Sequence, residues 1–321
     1  MLSLDFELAW GVRDTLGSDG PYRANLLGAR EAVPRLLDRF AAHDVAATWA
    51  TVGLLFAGSR DEALAQAPDV RPAYADPRLD PYRALEGGEV GDDERRDPVH
   101  FAASLVRLIA SAPRQELGSH TYAHLYPMEP GVTAAAIAAD LAAARAMGRA
   151  HGHDLRSLVM PRHQVRAVDL PSVAAAGFVA HRGPEPNALN RPRTGDSRPW
   201  IVRALRLLDG YLPLTGANDA PWPTPDAHGL VDVPEGHFLR PASRRLGALL
   251  PRRVARVVAA LTVAARRGTL CHVWWHPHNF GADQPANFAN LDALLEAYAR
   301  LHDAYGFRSW SMGDIADAVR P

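Results

Sequence analysis

The chain has 321 residues, 35 basic against 36 acidic, for a formal charge of −1; with 47% apolar and 22% charged content, disordered, collagen-like and coiled-coil classes are excluded. Balanced charge offers no general attraction to nucleic acid or anionic lipid. One cysteine, Cys271, excludes an internal disulfide and a Cys-rich zinc site, and the lack of any lysine excludes Schiff-base chemistry, PLP binding and a Walker-A loop.

In chain order, residues 2–8 read as a strand and 29–42 as an amphipathic helix with Ala29, Val33, Leu36, Leu37 and Phe40 on one face. Residues 45–56 open as a strand, and the Pro-, Asp- and Gly-rich stretch 57–98 is too long for an ordinary loop and reads as an insertion. A helix over 101–111, a strand over 116–119 and a long Ala-rich helix over 132–151 follow. Next come a strand over 157–160, a short helix over 170–176 and a short strand over 178–181. The stretch 182–240 reads as irregular and, with 57–98, as the rim of a cleft. A helix over 252–267, a strand over 269–275 and a helix over 287–305 complete the pattern. Repeated strand–helix units imply a parallel sheet, open or closed as a barrel, and no linker divides the chain, so 1–321 reads as one domain. No run approaches the length of a membrane helix and residues 1–11 lack a signal-peptide pattern, so a cytoplasmic protein without a membrane span is expected. Only four residues precede Asp5. A buried strand ordinarily carries about five, which raises the expectation that the first strand begins upstream.

Parallel sheets place their chemistry at strand carboxyl ends. Asp5 and Glu7 end the first strand, and His120 and His124 follow the strand at 116–119; Arg162 and His163 follow that at 157–160, and His276 and His278 end the last. Such a set describes a metal hydrolase site better than a nucleotide cleft. Two histidines four apart, taken as a helical turn, project from one face and reach one ion; with one carboxylate they leave open positions on zinc or iron. Asp5 and Glu7, two apart in a strand, share a face, where paired carboxylates repel unless a cation or an arginine separates them. Leu2, Leu4, Phe6 and Leu8 around them argue for burial.

Other residues carry two readings each. Trp10, Trp49, Trp274 and Trp275 either stack on a sugar ring or pack the core, and only one of Trp274 and Trp275 can face a barrel interior. His278 and Asn279 bind substrate or cap a turn. His272 reads as a satisfied core histidine or one that supports a site residue from behind, His163 as a neighbour of the site and Cys271 as an inert buried thiol. Arg244, Arg245, Arg252 and Arg253 meet an anionic substrate or form a solvated face.

Taken in order, these segments resemble the polysaccharide deacetylase family, the NodB-homology or family 4 carbohydrate esterases, across the whole chain. The opening Leu2-Ser3-Leu4-Asp5-Phe6-Glu7 is similar to that family's first motif, and Gln115-Glu116-Leu117-Gly118-Ser119-His120-Thr121-Tyr122-Ala123-His124 closely resembles its second. Met160-Pro161-Arg162 stands in the place of the third, Val273-Trp274-Trp275-His276-Pro277 in the place of the last, and Ala46-Ala47-Thr48-Trp49 is similar to the strand between the first two. The resemblance implies a distorted (β/α)7-type barrel with long loop insertions. It implies Asp5 as general base, Arg162 as the arginine that orients it, His276 as general acid, and Glu7, His120 and His124 as metal ligands. Trp49, Trp275, His278 and Asn279 are the candidate substrate contacts. Glu7 is one methylene longer than the family's usual aspartate, which leaves open whether Asp5 or Glu7 touches the metal, and Pro161 before Arg162 departs from the common Arg-x-Pro order.

The implied activity is hydrolysis of an N-acetyl group from a sugar or polysaccharide precursor by a divalent metal, Zn2+ first, with Co2+, Ni2+ or Fe2+ open. The implied partner is an N-acetylated carbohydrate, not nucleic acid, and a homo-oligomer is left open. The alternative is an allantoinase-like hydrolase of a small cyclic or linear amide with the same metal site. Two other classes are a non-haem iron oxygenase, which the strand–helix alternation opposes, and a catalytically dead carbohydrate-binding relative.

Overall fold

Alternation in the first strand, Leu2-Ser3-Leu4-Asp5-Phe6, divides its side chains between two faces, apolar outward and polar inward. That strand begins a computed structural model describing residues 1–185, 200–212, 214–242 and 250–320. Among the described residues the strands are β1 (Leu2–Phe6), β2 (Ala47–Thr51), β3 (Gln115–Ser119), β4 (Ser157–Leu158), β5 (Ala180–His181), β6 (Asp219–Ala220), β7 (Val231–Asp232), β8 (His237–Phe238), β9 (Leu270–Cys271) and β10 (Val273–Trp275). Eight form one sheet in the order β7-β5-β4-β3-β2-β1-β10-β8, every neighbouring pair parallel; β6 and β9 form a small antiparallel pair.

The two edges of the large sheet belong to one extended segment. Val231, Val233 and Glu235 donate backbone N–H groups to Val179, His181 and Gly183, whereas His237 and Leu239 donate to His272 and Trp274. The change of partner falls at Gly236, where any Cβ would collide with the His272 carbonyl. Seven extended segments therefore curl into a barrel-like sheet, as the (β/α)7 expectation has it. The stretch 182–240 is not simply rim: it supplies this closing segment, β6 and the helix Trp200–Asp209. The insertion 57–98 likewise holds the helices Arg60–Ala65 and Pro81–Glu86, capped by the side chains of Ser59 and Asp80. Arg244 and Arg245 lie outside the described residues.

Outside the sheet, the helix Arg23–Ala42 buries Val33, Leu36, Leu37 and Phe40 in the same core as Leu4, Phe6, Trp49 and Trp275. Inside, the amino end is closed by the helix Met312–Val319, which the sequence pattern did not mark. Its start is fixed by a capping box between Ser311 and Asp314, and Met312, Ile315 and Ala316 pack against Ala50, Val159, Ala180, Val231 and Val233. The carboxyl end is left for polar side chains. No described helix is long and apolar enough to cross a membrane.

Candidate metal centre

Ser3, Asp5 and Glu7 follow one another at every second position and turn into the barrel. Asp5 is clamped by Arg182, which donates to its two carboxylate oxygens at 2.8 and 2.6 Å and to Ser3 Oγ at 2.9 Å. Arg182 is 1% exposed and lies over the Trp274 ring. Behind it, Ser3 Oγ meets His272 Nε2 at 2.7 Å, and His272 Nδ1 donates to the Pro234 carbonyl at 2.9 Å. His272 is thus a buried, hydrogen-bonded histidine that supports, through Ser3, the arginine on Asp5. Burial alone would push the Asp5 carboxyl up; the adjacent guanidinium outweighs it and holds Asp5 well below the usual carboxylate range.

Glu7 is 4% exposed, and among the described residues no arginine is hydrogen-bonded to it. Its Oε2 lies 2.9 Å from His124 Nε2 and 3.3 Å from His120 Nε2. The loop carrying these histidines is not the helical turn expected from their spacing. Thr121 (φ 64°) and His124 (φ 54°) are left-handed, and these two reversals bring the imidazole centroids to 5.0 Å. The loop is held from outside: His120 N–H donates to Thr51, and the Tyr122 and Ala123 amides donate to the buried carboxylate of Asp140 at 2.7 and 3.2 Å.

His120 Nδ1 faces the Val159 carbonyl at 2.8 Å and must carry a hydrogen there. In the neutral ring its Nε2 is then a lone pair aimed at a carboxylate oxygen, an arrangement that needs a cation between the two. A ligand histidine whose other nitrogen donates to a backbone carbonyl is the usual partner arrangement of a metal site. Burial pushes His124 down to about 4, so that ring is neutral near pH 7, and among the described residues its Nδ1 has no hydrogen-bond partner. The ligand atoms of Glu7, His120 and His124 all lie within 4.8 Å of one another. This donor set fits a divalent ion.

On the other side, His276 Nε2 stands 3.4 Å from Glu7 Oε1 and 3.9 Å from Asp5 Oδ2. Its Nδ1 donates to Asn279 Oδ1 at 3.2 Å, while Asn279 Nδ2 donates to the Tyr22 hydroxyl. His278 stacks on His276 (5.0 Å, 9°) and is buried; burial, with His276 beside it, lowers its pKa to about 3. His278 and Asn279 therefore touch His276 and its surroundings.

Three expectations change. Arg162, expected on the base, does not reach it: with a left-handed backbone (φ 54°) it pairs with Asp14 and Glu129 and lies over Tyr126. The arginine on Asp5 is Arg182, which follows β5. Trp49 and Trp275, expected on substrate, are fully buried among Phe6, Phe40 and Phe280 and face the helices. Trp274 is the inward one; it contacts His163, Phe238 and His276. Trp10 also packs the core and donates to the His100 carbonyl. His163 pairs with Glu235 at 2.9 Å, and a cleft lined by Glu235, Phe238, Trp274, Arg240 and Arg253 runs beside them.

No family model and no curated protein sequence matches the chain. Among solved structures, a Mycobacterium smegmatis protein described as a polysaccharide deacetylase is 15% identical with a TM-score of 0.58, over 99% of this chain and 90% of that one. A GH57-type branching enzyme from Pyrococcus horikoshii is 10% identical with a TM-score of 0.54, over 100% and 70%. The Puue allantoinase is 14% identical with a TM-score of 0.53, over 98% and 89%. The chain has the NodB-like fold of polysaccharide deacetylases. Because similar folds carry different activities, the fold alone does not assign one.

Proposed function

We propose that the chain is a metal-dependent amide hydrolase that releases acetate from an N-acetylated sugar or polysaccharide precursor. The observation that supports this most is a buried Glu7 carboxylate faced by the Nε2 atoms of His120 and His124, two residues from an Asp5 held ionised by Arg182. Glu7, His120 and His124 would hold the ion, with Zn2+ the simplest match to the donors and Co2+, Ni2+ or Fe2+ fitting them as well. Bound there, a divalent metal supplies a Lewis acid that acidifies water and polarises the amide carbonyl.

The chain's own residues do the rest. Asp5 takes a proton from the attacking water, and Arg182 keeps it ionised and oriented for that transfer. His276, with Nδ1–H fixed on Asn279, presents Nε2 to the site and delivers a proton there to the leaving nitrogen. Water and amide are consumed; acetate and a free amine leave. Phe238, partly exposed beside His276 and backed by the buried Trp274, offers an aromatic surface that suits a sugar ring.

The test is an acetate-release screen of the purified, zinc-loaded protein over N-acetylhexosamines and their nucleotide- and lipid-linked forms, with allantoin as a control. Acetate from at least one glycan supports the reading. Ring opening of allantoin without acetate would replace it with a small-amide hydrolase on the same site.

A further inference from the structure

Glu7 has two oxygens, and each is flanked by a pair of imidazoles. Oε2 faces His120 and His124, the set used above. Oε1 faces His276 Nε2 at 3.4 Å and His278 Nε2 at 3.9 Å, and these three ligand atoms also lie within 4.8 Å of one another. The second pair stands somewhat farther off than the first, at 3.4 and 3.9 Å against 2.9 and 3.3 Å. His276 Nδ1 is committed to Asn279, which leaves Nε2 as the nitrogen turned to the carboxylate, and the stacked His278 ring also brings its Nε2 to the same oxygen.

His278 is otherwise hard to account for. It is 2% exposed, packs against Tyr22 and His276, and among the described residues its Nδ1 has no hydrogen-bond partner. A buried polar side chain without its hydrogen bonds is costly. An ion held through Nε2 would not relieve Nδ1, but it would account for a buried Nε2 standing 3.9 Å from the Glu7 carboxylate.

We infer that the centre has a second cation position, formed by Glu7 Oε1, His276 Nε2 and His278 Nε2, so that Glu7 bridges two divalent ions. The inference shares Glu7 with the proposed function but needs a different pair of histidines. An ion in the second position takes the nitrogen through which His276 would pass its proton. The second site is therefore inhibitory: one ion per chain supports hydrolysis and a second opposes it.

The full chain, stripped with chelator and titrated with Zn2+ alone, tests this by calorimetry and elemental analysis. Wild type is expected to bind two ions per chain in two phases. His278→Gln is expected to keep the tighter phase and weaken the other by about 10- to 100-fold, the scale on which ligand environments affect metal affinity. In wild type, hydrolysis is expected to fall once zinc exceeds one equivalent, and in His278→Gln that fall is lost. A single ion per chain in wild type at large zinc excess overturns the inference and leaves the proposed function standing. Two ions in both proteins with unchanged affinities overturns it as well. Two ions lost to one in the variant, with no acetate released from any glycan, supports the second site and overturns the deacetylase reading. The wild-type stoichiometry stands whether or not the variant folds.

Discussion

At the amino end of the barrel Met312, Ile315 and Ala316 meet Ala50, Val159, Val231 and Val233 under a helix whose first turn is fully capped. At the carboxyl end Asp5, Glu7, His120, His124, Arg182, His276 and His278 crowd together, with the Nδ1 atoms of His124 and His278 unpartnered among the described residues. Left-handed non-glycine residues gather there too: Leu8, Thr121, His124, Arg162 and His163. The carboxyl end carries more of these departures, though Asp44 and Arg114, just before β2 and β3 at the amino end, are left-handed as well. Strained backbone and unsatisfied polar atoms persist where the surroundings hold them, and they mark functional sites. Changes at the two ends should therefore separate stability from chemistry.

The largest effect is expected from His120→Ala: metal content near zero and acetate release below detection, with the fold intact by circular dichroism. Full activity in that variant would remove the carboxyl end from the chemistry. Next is Arg182→Gln, expected to cost about 10²- to 10⁴-fold in kcat, the usual worth of an acid–base group. With the guanidinium gone, burial is opposed only by the weaker pull of His120 and His276 and the Asp5 pKa rises, so the acid limb of the rate profile moves to higher pH. Arg162→Gln, on a guanidinium that does not touch Asp5, is expected to lower the rate less than about tenfold. The reverse order would return the base-orienting role to Arg162.

At the other end, Ile315→Ala removes a fully buried side chain and is expected to cost about 2–5 kcal/mol of stability, read by urea unfolding, with kcat unchanged. The smallest effect concerns Asp140, which burial raises from an ordinary 3.8 to about 7. The folded chain keeps this proton longer than the unfolded one, so stability falls as pH rises from about 4 to about 7. Asp140→Asn is expected to flatten that slope, whatever its cost in loop hydrogen bonds. An unchanged slope would mean that another group sets it.

The barrel was legible because its longer helices and strands carry clean periodicity, and the polar ends of β1, β3 and β10 stand where parallel sheets put chemistry. The closing segment was not: β7 and β8 are two residues each, too short for any alternation to register. The spacing of His120 and His124 pointed to the pair but not to its geometry, since nothing in Thr121 or His124 announces a left-handed backbone. Arg182 was passed over because Arg162 follows an earlier strand in the expected motif order. The tryptophans could have been placed by register alone. Leu4 pairs with both Trp49 and Trp275, so once Asp5 points inward all three face out.

The central claim is that Glu7, His120 and His124 share one ion. Anomalous diffraction at the zinc edge from crystals grown with Zn2+ tests it most directly. The expected result is a peak about 2.0–2.2 Å from a Glu7 oxygen and from the Nε2 atoms of His120 and His124. Zinc-saturated crystals without a peak bonded to those three atoms would contradict it.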